Sequence, residues 1–61
     1  MSRAEMNAVN RVQRAIACSD AVALAFVRLV GSDCVFEQSF ALLANAVKVA
    51  VARGALYTVQ P

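Results

Sequence analysis

A chain of 61 residues with 61% hydrophobic and 16% charged side chains has room for one small domain and carries more apolar surface than average. Its net charge is only +2; with no histidine and two cysteines it lacks the donors for a four-ligand zinc site of the usual cysteine–histidine kind within one chain, and no metal or cofactor is expected. At this length folding hides only about 60% of the unfolded chain's surface, so a second copy or another protein is the expected stabiliser.

The first predicted element is a helix over about 2–30. Neither proline nor glycine interrupts this stretch, and alanine recurs throughout. Val9, Val12, Ile16, Ser19, Ala23, Phe26 and Val30 follow one another at intervals of three and four, the spacing of one broad helical face. Ser19-Asp20 offers an alternative, since a serine followed by an aspartate can cap a new helix and divide the first in two. The unbroken helix is the expectation. Its polar start, Met1 to Asn7, leads into Arg11 and Arg14 and lacks the apolar core of a secretory signal, so a cytoplasmic location with reduced thiols is expected.

All of the net positive charge arises in the first fourteen residues, where Arg3, Arg11 and Arg14 outnumber Glu5. On a helix Arg3, Asn7, Asn10 and Arg14 share one stripe, with Arg11 beside it. A solvated face is the plain interpretation. The same stripe has the chemistry to meet an acidic protein surface or the phosphates of a nucleic acid, with asparagines adding hydrogen bonds.

Gly31-Ser32 is the expected turn, and a second helix is predicted over 33–53, capped by Ser32 or Asp33 and stopped by Arg53-Gly54. Phe36, Phe40, Leu43 and Val47 form its apolar stripe. The tail, 55–61, contains Leu56, Tyr57 and Val59 and is too apolar for a free linker, so it is expected to fold back or to contact a neighbour.

Two helices joined by a short turn imply an all-α antiparallel hairpin over 1–54. Nine of the ten residues from Ala21 to Val30 are apolar, as are eleven of the thirteen from Phe40 to Ala52, more than the inner faces of one hairpin can hide. Dimerisation into a four-helix bundle is therefore expected, through Val22, Phe26, Leu29, Phe36, Phe40, Leu43 and Val47. In such a hairpin Cys18 lies on the order of 18 Å from the residues opposite Cys34, so both are expected as free thiols. The apolar runs Ala21 to Val27 and Phe40 to Ala44 are too short to span a bilayer.

The length, the near-central turn and the helix-turn-helix layout, with Arg3, Asn10 and Arg14 on one face of the first helix, resemble the ROP (Rom) family of plasmid copy-number regulators. That resemblance implies a dimeric four-helix bundle that binds paired RNA loops through a helical face. Enzyme activity is not expected and no catalytic residue is assigned: there is no histidine base, no glycine-rich phosphate loop, and the four carboxylates are scattered. The sequence favours a small protein–protein interaction module or regulator whose partners are further copies of itself and, as a further candidate, a larger protein. The alternative is a dimeric RNA- or DNA-binding regulator.

Overall fold

A computed structural model of the chain describes residues 2–56. The described residues form four α-helices and no strand: α1 (Arg3–Ile16), α2 (Asp20–Val30), α3 (Ser32–Glu37) and α4 (Phe40–Ala52). The all-α class is as expected; the helix boundaries are not. A continuous helix over 2–30 would be about 43 Å long at 1.5 Å per residue. The longest dimension of the fold is 26 Å.

Serines place three of the four helix starts. Ser2 accepts a hydrogen bond from the Glu5 amide, Ser19 from that of Val22 and Ser39 from that of Leu42, each satisfying one of the donors a first turn leaves unpaired. The first expected helix breaks where α1 runs out at Ala17. This residue takes the left-handed conformation (φ 52°, ψ 42°), and its amide donates to the Gln13 carbonyl at 2.7 Å. Gln13 then spans the corner: its Nε2 donates to the Cys18 carbonyl and to Asp20 Oδ1.

The second expected helix breaks as well. Gln38 is extended (φ −90°, ψ 144°), which ends α3 after Glu37, and Ser39 begins α4. Between α2 and α3 the whole connection is Gly31, at φ 89° and ψ 149°, a backbone region open only to glycine. At the far end Gly54 (φ 73°) closes α4, and the Ala55 amide returns to the Ala50 carbonyl at 2.9 Å.

These two breaks turn a hairpin into a four-helix cluster. Amphipathic α1 touches each of the other three helices. Its Ala8, Val9 and Val12 meet Ala23, Phe26 and Val27 of α2, Val35 of α3, and Leu43 and Val47 of α4 in one core. Leu56 joins that core at 4% exposure. Tyr57 and Val59, the other two expected tail contacts, lie outside the described residues. Among the described residues no polar or charged side chain is fully buried, and no helix is long and apolar enough to cross a membrane.

The core also revises the expected interface. Phe26, Leu43 and Val47 are at most 3% exposed inside the protomer and are unavailable to a partner, because four short helices surround them where two long ones would leave them open. Val22 is half-buried, whereas Leu29, Phe36 and Phe40 reach the surface.

Candidate binding groove

The polar face of α1 follows directly from helical geometry. Ala8, Val9 and Val12 point into the core, so Arg3, Asn7, Asn10 and Arg14, spaced by four, three and four residues, project from the far side, and all four are exposed. Arg11 sits about 40–100° around the helix from Asn7, Arg14 and Asn10, on the flank turned toward α3 and α4.

Arg11 is not a free surface cation. Its Nε donates to the Val35 carbonyl at 3.2 Å and its Nη2 to the Gln38 carbonyl at 2.7 Å. Both acceptors are at the carboxyl end of α3, where helical carbonyls run out of amide partners and partial negative charge accumulates. The guanidinium also lies over the Phe40 ring, 4.4 Å from its centroid, and 6.0 Å from that of Phe36, positions at which a cation is attracted to an aromatic face. One side chain thus fastens α1 to the end of α3 and the start of α4 and fixes where both rings stand.

The outcome is a groove lined by Asn7, Asn10, Arg11, Arg14, Phe36 and Phe40. Phe36 and Phe40 are each 48% exposed along it. Four of the five residues expected on a partner face line this groove; Arg3 is exposed on the same stripe, nearer the start of α1. The two phenylalanines, expected in an oligomer interface, stand instead beside the arginines and asparagines. Finding that neighbourhood requires knowing that the chain bends at Gln38 and that α3 folds against α1.

Two other concave surfaces are more apolar. One, between α1 and α2, is lined by Met6, Val9, Asn10, Asp20, Ala21 and Leu24. Another, formed largely by Ile16, Cys18, Val22, Val47 and Val51, has Lys48 at its rim. Cys18 and Cys34 are free and half-buried. Burial pushes the Cys18 thiol above its ordinary value of 9.0; backbone hydrogen bonding at Cys18 opposes this in part, and the Asp20 carboxylate adds a smaller rise. No group of three or more His, Cys, Asp or Glu side chains among the described residues is placed to hold a metal ion.

Outside the groove, the remaining exposed large apolar side chains among the described residues are Met6, Leu29, Leu42 and Val49. The last two share one side of α4. At 100° per residue Leu42, Ala46 and Val49 line the flank turned away from Leu43 and Val47, with Asn45 at its edge and Arg53 in line with it just past the end of the helix. This helix is therefore apolar on its core side and on much of its outer side.

Comparison with known proteins finds no family model, no curated protein and no solved structure that matches this chain.

Proposed function

We propose that the protein is a non-enzymatic association module that pairs with a second copy of itself through the outer face of α4. The observation that carries this reading is on that helix: Leu42 is 60% and Val49 38% exposed, while Leu43 and Val47 on the other side are fully buried. A helix apolar on both sides belongs inside an assembly. A twofold axis beside Ala46 brings the Leu42–Val49 stripe of each protomer onto its equivalent, small at the centre and larger at the ends. The dimer interface is then a pair of α4 helices in place of the hairpin bundle suggested by the sequence. The absence of histidine and the scattering of carboxylates support a role in binding over one in catalysis.

Sedimentation equilibrium at low micromolar concentration tests the pairing. We expect about 13 kDa, twice the 6.5 kDa protomer, for the native chain. Full burial of a leucine contributes about 1.5–3 kcal/mol. With Leu42 60% exposed, each copy has about 1–2 kcal/mol to gain, or about 2–4 kcal/mol per symmetric dimer. Leu42→Glu removes that gain and sets a carboxylate against the partner copy's apolar stripe, so Kd rises at least ~30-fold. A folded native species of protomer mass overturns the proposal, and a dimer that survives Leu42→Glu overturns the choice of α4.

A further inference from the structure

The groove of Asn7, Asn10, Arg11, Arg14, Phe36 and Phe40 combines three chemistries that the α4 face lacks. Two aromatic rings are half-exposed side by side, a guanidinium is already locked against one of them, and an exposed arginine and two exposed asparagine amides stand along the rim. We infer that this groove binds single-stranded nucleic acid, taking an unstacked base on the Phe36–Phe40 platform and a neighbouring phosphate on Arg14.

The assignment follows from what each part can satisfy. A base offers a flat π-face for a phenylalanine ring and an edge of donors and acceptors for a carboxamide; Asn7 and Asn10 each supply both a donor and an acceptor beside the rings. Arg14 has none of the intramolecular hydrogen bonds that engage Arg11, and it shares an exposed stripe with Arg3. The two can meet phosphates along the strand, in keeping with the concentration of the chain's excess positive charge on its first fourteen residues. Arg11 contributes by being occupied: hydrogen bonds to two backbone carbonyls hold its guanidinium plane and the Phe40 ring in place before a ligand arrives, which lowers the ordering cost of binding. Intact duplex fits poorly, because its bases are stacked and unavailable to the rings. An acidic peptide would satisfy Arg14 but leave the paired rings and amides without planar, edge-bearing partners.

This site does not depend on self-association. Leu42 is about 200° around α4 from Phe40, so the two surfaces are separable by mutation.

Fluorescence anisotropy with dye-labelled oligomers of about 10 nucleotides, as single-stranded RNA, single-stranded DNA and duplex, tests the inference across about 50–200 mM salt. We expect both single strands to bind and duplex to bind more weakly. The slope of log affinity against log salt should be near −1.4, for two phosphates at about −0.7 each. Phe36→Leu keeps an apolar side chain but removes the stacking surface and should weaken binding at least about 5-fold. Arg14→Gln should weaken binding and reduce the slope by about half. Circular dichroism verifies that each variant is folded. Absence of single-strand binding at low salt by the folded native protein overturns the inference. So does binding unchanged in both variants, tighter binding to duplex, or capture of a labelled glutamate-rich peptide in this groove when no oligomer binds.

Discussion

Replacing Arg11 should destabilise this fold far more than replacing Arg14, although the two are three residues apart on one helix. Arg11 makes two hydrogen bonds to backbone carbonyls of different residues, at 3.2 and 2.7 Å, and packs over Phe40 at 4.4 Å. A hydrogen bond with a charged partner contributes about 1.5–3 kcal/mol net. At a half-buried site the lower figure applies, giving about 3 kcal/mol for the two bonds, and the ring contact adds about 0.5–1 kcal/mol. Water reaching the freed carbonyls returns part of this, so we expect a loss of about 3 kcal/mol for Arg11→Ala. At about 0.05–0.15 kcal/mol per residue, a chain of this length has only about 3–9 kcal/mol in total. Arg11→Lys keeps the charge but cannot bridge both carbonyls as a planar fork, and should lose about half as much. Arg14→Ala, at an exposed position, should stay within about 0.5 kcal/mol of native. Urea unfolding followed by circular dichroism, at one fixed protein concentration because dimerisation contributes to stability, measures all three. If Arg11→Ala and Arg14→Ala unfold at the same midpoint, Arg11 does not hold α1 to α3 and the groove is not built as described.

Three further outcomes follow from the corners and the thiol. Ala17 occupies left-handed backbone that disfavours a Cβ by about 1–2 kcal/mol, so Ala17→Gly should raise Tm despite the added freedom of the unfolded chain, with a net gain of about 0.5–1 kcal/mol read by thermal melting. Ser19→Ala removes the cap of α2 and should cost about 1 kcal/mol in the same assay. For Cys18, whose folded thiol titrates above 9.0, the unfolded chain loses its proton first as pH rises, so stability falls through and above that value. The stability difference between native and Cys18→Ala proteins should therefore shift against the native chain between about pH 8 and pH 10; a constant difference contradicts the raised titration.

How much of this arrangement can be read in the residues differs from one element to the next. The all-α class is legible because proline and glycine are nearly absent and apolar residues recur at three and four. The arginine–asparagine stripe is legible for the same reason, since Arg3, Asn7, Asn10 and Arg14 need only a local helix to align. The breaks are harder to see. Ser19 and Ser39 sit within apolar patterns that continue across them, and Ala17 bears no mark of its left-handed conformation. Ser19-Asp20 carries the pattern of a helix cap, but Ser39, followed by Phe40 and preceded by Gln38, has only a hydroxyl to signal a new helix. Once both breaks are missed, the core positions Phe26, Leu43 and Val47 read as surface for a partner. The pairing of Arg11 with Val35, Gln38 and Phe40 is a tertiary contact across 24 or more residues for the two hydrogen bonds, and no local periodicity encodes it.

Direct contact between the two α4 helices can be observed by isotope-filtered NMR on a mixture of labelled and unlabelled chains. We expect intermolecular cross-peaks between Leu42 and Val49 methyl groups, and intermolecular peaks of the Ala46 methyl group that are lost in Leu42→Glu. A native sample whose cross-peaks at these methyls are all intramolecular, with the diffusion rate of a 6.5 kDa particle, would contradict the claim that this chain covers its excess apolar surface by pairing.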